Sequence, residues 1–257
     1  MTQLTAAVPA PDQVAYMDAA AGTTVGKEYK KRLLSSLDVR PGQTVADIGC
    51  GPGTDLARLA DEVGGDGSVI GVDREPRMLK EARRRMADRA NVEVREGDIH
   101  TLPFSDGSVD RARVDRVLQH VADPAKVVQE VRRALRPGGF FGMAEPDWDT
   151  LAVADQDVHT SRQFARFVAG QLRHPTIGRE LVRLCVRAGF RIRSVDPVAV
   201  LFRDFDTADQ ILGLRRNAAR AVQAGKMSED EAEPWLERLV RGPVVAGFTF
   251  YLVVAEA

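Results

Sequence analysis

The sequence predicts an α/β protein built on a mostly parallel sheet of seven strands, and three observations carry that prediction. Val45, Ala46 and Ile48 make a short apolar run suited to a strand buried on both faces. Gly49, Gly51 and Gly53 follow at once, and Leu56, Leu59, Ala60 and Val63 then recur at helical spacing. Further short apolar runs alternate with amphipathic segments along the 257 residues, as strands crossed over by helices do. A strand, a glycine turn and a helix form a unit in which the backbone turns tightly and a ligand can approach the main chain.

The elements follow in order. Residues 1 to about 12 read as disordered, and two helical patterns lie between Val14 and Leu37, with Tyr16, Met17, Tyr29, Leu33, Leu34 and Leu37 on their apolar faces. Pro41-Gly42 turns into the first strand. Ser68–Val72 is a second buried strand ending in Asp73, and Glu75-Pro76 marks a helix start. Asn91–Val94 alternates as a third strand and Ser108–Val117 is the fourth strand region. A helix opens at 121–124 with His120 at its start, ends at Arg136 and is stopped by Pro137-Gly138-Gly139; Phe140–Ala144 is the fifth strand.

Residues 145–149 are expected to leave that strand on the crevice side. Residues 157–173 suggest a helix with Phe164, Phe167, Val168 and Leu172 on one side and His159, Arg162, Arg166 and Arg173 on the other. Ile177–Ala188 reads as a helix ended by Gly189, Arg191–Phe202 as the sixth strand and Ala208–Val222 as one amphipathic helix. Ser228 and Glu231 form a capping box for a further helix that Pro234 should kink or reset. Val244–Val254 is the last strand. The chain is expected to be one domain, with a core at 38–146 plus 176–257 and a helical cap or lid formed by 13–37 and 147–175.

Composition narrows the function classes. Hydrophobic residues at 44% and charged residues at 28% are the profile of an ordinary soluble protein. A net charge of −1 argues against a non-specific nucleic-acid binder, and Arg83-Arg84-Arg85 reads as a solvated helix face. Cys50 and Cys185 give neither a disulfide framework nor metal-ligand spacing and read as small buried residues in a reducing compartment. No signal pattern opens the sequence, and Val244–Val254 is too short to span a bilayer as a helix, so a cytoplasmic protein, monomer or homodimer, is expected.

What the turn binds depends on detail. A dinucleotide turn needs G-x-G-x-x-G, but Thr54 fills the third glycine slot and Pro52 intrudes; a P-loop needs a lysine that is not there. Asp47, at the end of the strand, would repel a pyrophosphate and suit a ligand with an amino group and a positive centre. S-adenosylmethionine has both and no phosphate. With Val45-Ala46-Asp47-Ile48-Gly49-Cys50-Gly51-Pro52-Gly53, the chain resembles the class I S-adenosylmethionine-dependent methyltransferases. Residues 117–124 and 135–139 also match patterns of that family, closest to the ubiquinone/menaquinone C-methyltransferases and many small-molecule methyltransferases. The resemblance covers about residues 40–145 and implies a Rossmann-like sheet with an antiparallel last strand, plus a helical cap.

It also implies a cofactor site. Asp73, ending the second strand, would accept two hydrogen bonds from a ribose diol; its structural alternative is a helix N-terminal acid. Arg74 would lie along the adenine, Asp98 would accept from the adenine amino group and Ile99 would pack on the ring. Gly49, Cys50, Gly51, Val114 and Tyr29 complete the expected contacts, Tyr29 having core packing as its alternative.

Methyl transfer from a sulfonium is an in-line displacement, so the protein's task is mostly positioning and excluding water. An acceptor that loses a proton needs a base. His120 is the first candidate, against a structural histidine holding its loop, with Glu145, Asp147 and His159 behind it. Glu145, Trp148, Phe164 and Phe167 are the candidate acceptor pocket, and Arg162, Arg166 and Arg173 either hold an acidic acceptor or form a solvated face. No metal site is expected.

The expected function is methylation of a small molecule at O, N or C, with S-adenosylhomocysteine as the second product. Thirty arginines against six lysines suggest a GC-rich, actinobacterial origin and secondary metabolism. The competing readings are a protein that uses S-adenosylmethionine structurally or in a non-methylating reaction, and a nicotinamide-dependent oxidoreductase, which Thr54 and Asp47 oppose. Nucleic acid is not an expected substrate, since no recognition module is appended.

Overall fold

The computed structural model describes residues 11–257. Residues 1–10, most of the stretch read as disordered, lie outside the described residues. Asp12 is part of the fold: it caps α1 (Gln13–Gly22), its carboxylate accepting from Ala15 N at 3.0 Å. Thr23 caps α2 (Thr24–Leu37) in the same way through Gly26 N.

Seven strands form one sheet in the order β3-β2-β1-β4-β5-β7-β6. They are β1 (Thr44–Ile48), β2 (Ser68–Asp73), β3 (Val92–Glu96), β4 (Val109–Asp115), β5 (Leu135–Val153), β6 (Arg191–Phe202) and β7 (Ala246–Glu256). Only β7 runs antiparallel, between β5 and β6, as the sequence led us to expect. β1 and β2 are buried along almost their whole length because α3 (Leu56–Val63) and α4 (Pro76–Arg85) cover one face and the core that α5 (Pro124–Ala134) shares covers the other, where α7 (Ile177–Arg187) packs on β5, β6 and β7.

Three boundaries differ from the sequence reading. β5 is far longer than Phe140–Ala144, so Glu145, Pro146 and Asp147 lie within it, paired with Tyr251, Phe250 and Thr249 of β7. The segment predicted to leave the sheet is held by that ladder. α5 ends at Ala134 and passes directly into β5, so Pro137-Gly138-Gly139 sits inside the strand. The helix expected over 208–222 is two, α8 (Phe205–Leu212) and α9 (Leu214–Gln223), divided at Gly213 with φ 62°. Asn217 Nδ2 donates to the freed Leu212 carbonyl at 2.7 Å, which compensates the break.

Pro234 does not reset the start of α10 (Glu229–Arg241), which begins five residues before it. Near the N-terminus its missing N–H leaves one carbonyl without a partner, and the Ser228–Glu231 capping box secures the first turn.

β5, β6 and β7 run on past the other strands, and their extensions carry a second apolar core. Val153, Val200, Phe202, Phe248 and Phe250 pack there with α6 (Val158–Gly170) and the helices α8–α10. This helical layer therefore includes residues 205–241 beside α1, α2 and α6.

Candidate active site

The glycine turn leaves β1 at the point where strand order reverses, between β1 and β4. Gly49 N and Cys50 N both donate to Val72 O, at 2.7 and 3.0 Å, tying the turn to β2. Gly49 has φ 72°, and a Cβ there would lie 2.6 Å from Val117, so no larger residue fits. Gly51, with φ 54°, donates its N–H to Asp73 Oδ2 at 2.8 Å. Asp73 Oδ1 accepts from Arg74 N and Glu75 N at 2.8 and 3.0 Å. One carboxylate thus clasps the turn to the start of α4, which is the structural alternative the sequence offered for Asp73. Three N–H groups occupy three of its four lone-pair sites, leaving one on Oδ2 where the sequence reading asked for two.

Beneath the turn lies a cluster of buried charges. Asp47 and Arg113 are register partners on neighbouring strands. Asp47 is 4% exposed with its carboxylate 3.6 Å from Arg113 Nε, so it faces that guanidinium and not the crevice, contrary to the sequence reading. Arg113 also lies 2.9 Å from Asp55 Oδ2 and 2.9 Å from Asp115 Oδ2. Lys30 of α2 reaches the same two oxygens, each at 2.5 Å, and Tyr29 OH donates to Asp115 Oδ1 at 3.0 Å. Asp55 stands at the N-cap position of α3 but makes no capping bond, because its carboxylate is drawn to Arg113 and Lys30.

Burial and pairing pull these groups in opposite directions. For Asp47 burial outweighs Arg113 and pushes the pKa up to about 6. For Asp55 and Asp115 burial pushes up, but Arg113 and Lys30 prevail and hold both below the ordinary carboxylate range. Lys30 and Arg113 are held protonated by their carboxylates against the cost of burial.

The other expected cofactor contacts are spread around this crevice. Arg74 is exposed at the end of β2. Asp98, beyond β3, is exposed, its Oδ1 accepting from His100 N at 2.9 Å and lying 2.7 Å from His100 Nδ1. Ile99 is half-buried against the α5–α7 core. Cys50 is turned into the core, where burial pushes its thiol well up, so only its backbone borders the turn. Val114 is fully buried within β4 and belongs to the core.

His120 lies on the turn after β4, four residues before α5, and not at the start of that helix. The residue is solvent-exposed overall; partial burial of its ring and the nearby Arg116 lower its pKa. The turn itself is held by Glu145, whose Oε1 accepts from Val117 N and Leu118 N at 2.8 and 2.7 Å. Glu145 is fully buried, its Oε2 has no partner among the described residues, and burial pushes its pKa up to about 8.

On the other side of β4 a cavity lies between α1–α2 and the extended strands. Tyr16, Tyr29, Arg116, Trp148, Phe248 and Phe250 line it, with Thr23, Phe202 and aliphatic side chains of α1, α2, β6 and α8. Its free interior is about 30 Å³, room for a water or two. Trp148 stacks on Phe248 at 4.5 Å and donates its indole N–H to Gln119 Oε1 at 2.8 Å; Tyr29 stacks on Phe250 at 4.8 Å. Of the four side chains expected in a pocket, only Trp148 borders this cavity. Phe164 and Phe167 are inside the helical layer, where α6 turns its aromatic face to α9 and α10 and Phe164 meets Trp235 at 4.9 Å. Asp147 is buried and ion-paired with Arg179, while His159, Arg162, Arg166 and Arg173 are solvent-exposed.

Sequence reasoning missed Lys30, Asp55, Arg113, Asp115 and Arg116. The signal was present in Asp110-Arg111-Ala112-Arg113-Val114-Asp115-Arg116, a run of charges inside a central strand, which requires buried partners. Tyr16, Phe248 and Phe250 had no local signal.

A sequence profile described as a methyltransferase domain matches residues 40–189. An uncharacterised 37.1 kDa protein of transposon TN4556 from Streptomyces fradiae is 50% identical over 248 residues, 96% of this chain and 72% of that protein. A demethylmenaquinone methyltransferase from Desulfitobacterium hafniense is 37% identical over 126 residues, 47% of this chain and 50% of its own length. Among solved structures, the YcgJ protein of Bacillus subtilis superimposes with a TM-score of 0.64 at 17% identity, covering 90% of this chain and 98% of that one.

Proposed function

The chain belongs to the methyltransferase-domain family and is a class I S-adenosylmethionine-dependent methyltransferase, and from that premise we propose that it methylates a small molecule, at O, N or C, held in the aromatic cavity beside Arg116. The observation that carries the reading is the Gly51–Asp73 clasp at the strand-order reversal, next to a cavity lined mostly by aromatic and aliphatic side chains, with Arg116 as its cation and Thr23 as a polar neighbour.

The residues at the turn suit the cofactor. Gly51 leaves the main chain open, a Cβ there meeting only the Met17 sulfur within 3.1 Å, and Asp73 keeps one lone pair for a ribose hydroxyl. Gly49, Cys50 and Gly51 would contribute backbone, Asp73 the ribose contact, and Arg74, Asp98 and Ile99 the surroundings of the adenine. Asp47 acts through Arg113, by fixing its position. When bound, S-adenosylmethionine supplies a methyl group on a positively charged sulfur, open to in-line displacement.

The chain's own part is to bring the acceptor atom into line and to keep water out. The cavity as it stands holds a water or two, so the acceptor enters by displacing α1, which has no fully buried residue and is tied down by the Asp18–Arg85 pair and the Tyr16 hydroxyl on Ile211 O. His120, neutral at pH 7 because its pKa is lowered, takes the acceptor's proton where the acceptor has one to lose. The arginine-rich composition and the Streptomyces relative support a role in secondary metabolism. Among the described residues no helix is long and apolar enough to cross a membrane.

Calorimetric titration tests the cofactor half: S-adenosylhomocysteine is expected to bind and NADH not to. Binding of NADH alone overturns the reading. Mass spectrometry then seeks an acceptor heavier by one methylene after turnover.

A further inference from the structure

We propose that Arg116 is the specificity residue of the acceptor site and selects a flat, apolar acceptor that carries an oxyanion, a carboxylate or an ionised phenol. This deepens the function proposed above and rests on it.

Four observations converge on this residue. Arg116 has φ 58°, a left-handed backbone that a long side chain adopts only under constraint. Its N–H donates to Ala144 O at 2.9 Å, which fixes that conformation at the end of β4. The guanidinium borders the aromatic cavity, 5.8 Å from the Tyr16 ring, with its side chain 21% exposed. Among the described residues it makes no side-chain hydrogen bond, and its Nε is buried without a partner.

The nearby carboxyl groups do not neutralise it: Glu145 is kept protonated at neutral pH by burial, and Asp115 is taken by other partners. Asp115 Oδ1 is 3.9 Å from Arg116 Nε, at the limit of an ion pair. That carboxylate already takes Lys30 at 2.5 Å, Arg113 at 2.9 Å and the Tyr29 hydroxyl at 3.0 Å. Asp47 and Asp55 are held by Arg113 and Lys30. A guanidinium left with unused donors in an aromatic box recognises a planar anion with fork geometry, while the rings accept a flat body. The methyl donor brings a further positive charge to the adjoining crevice, which favours an anionic acceptor again.

The test uses the full chain with S-adenosylhomocysteine present and follows quenching of tryptophan fluorescence, in which Trp148 borders the cavity and Trp235, buried in the helical layer, gives a constant background. 1-Naphthoate, 1-naphthol at a pH above its own pKa, and neutral 1-naphthalenemethanol are titrated against wild type, Arg116→Gln and Arg116→Lys. Wild type is expected to bind an anionic probe at least about tenfold more tightly than the neutral one, as a charge-assisted pair would. The preference should vanish in Arg116→Gln and survive in part in Arg116→Lys; which anion is preferred separates carboxylate from phenolate. Equal affinities in wild type, no binding of any probe, or a preference that persists in Arg116→Gln overturns the inference. Calorimetry with S-adenosylhomocysteine on each protein separates the two readings: no cofactor binding by wild type sinks the proposed function, whereas cofactor binding without anion preference sinks only the role of Arg116.

Discussion

Between Gly49 and Asp73 the crevice is made almost entirely of main chain. Its contacts are N–H groups, carbonyls and one carboxylate, all within a single strand–turn–helix–strand unit. The cavity on the other side of β4 is made of side chains, drawn from α1, α2, the turn after β4, and the far ends of β5, β6 and β7. A backbone-built site depends on few residue identities, chiefly the glycines and Asp73. A side-chain-built site changes with any of its lining residues. One fold can therefore keep its cofactor and vary its acceptor, with the charge cluster around Arg113 joining the two halves.

The largest expected effect strikes that joint. Arg113→Met leaves Asp47, Asp55 and Asp115 buried with Lys30 as the main remaining cation and Arg116 at 3.9 Å from Asp115, and should cost about 3–5 kcal/mol in urea unfolding. Adding Asp47→Asn should restore part of the loss. A cost under about 0.5 kcal/mol, that of a surface change, would mean the two halves are not coupled there.

Glu145 offers a pH-dependent test on the acceptor side. Its folded pKa, raised to about 8, means the folded chain keeps a proton that the unfolded chain has released. Stability should therefore fall as pH rises, from about 6.5, where histidines of the unfolded chain have titrated, to about 8, by up to about 1.4 kcal/mol per pH unit. Above that it should level off. Glu145→Gln should flatten this part of the profile, and a slope that survives would assign it to another group.

On the backbone-built side, Asp73→Ala removes the clasp on Gly51 as well as the proposed ribose contact. S-adenosylhomocysteine binding should weaken by about 1.5–3 kcal/mol, read by calorimetry. The smallest effect is expected of Trp148→Phe, which keeps the stacking on Phe248 and loses the bond to Gln119. About 1 kcal/mol of stability should go with it, while affinity for S-adenosylhomocysteine should stay as it was. A drop in that affinity would blur the division between the halves.

The same division decides what could be read in advance. The seven strands and the glycine turn follow from local pattern, because apolar runs, glycines and capping residues act within a few positions of themselves; the antiparallel direction of the last strand came from the family resemblance. The continuation of β5 past Ala144 was not legible: its pairing comes from β7, about a hundred residues on. Phe164 and Phe167 were read correctly as one helix face, but the partner of that face is Trp235 and α9, which no local pattern names. Asp47 was legible as a carboxylate at the crevice, while the cation that turns it inward sits on a strand that is adjacent only in space. Arg116 shows the limit most clearly. Its left-handed backbone and unused guanidinium appear only once β4 ends against β5.

The place of β7 bears on how the molecule is made. Among the described residues it is the last strand in chain order, yet it is the only neighbour of β6 and lies between β6 and β5. During synthesis, residues 191–202 emerge with no strand to pair with until 246–256 follow. The glycine turn can close as soon as β1, β2 and β4 have left the ribosome, whereas Phe248 and Phe250 complete the aromatic cavity only once β7 has followed. A nascent chain halted before β7 would thus display an apolar edge and half a cavity, the surface on which chaperones act.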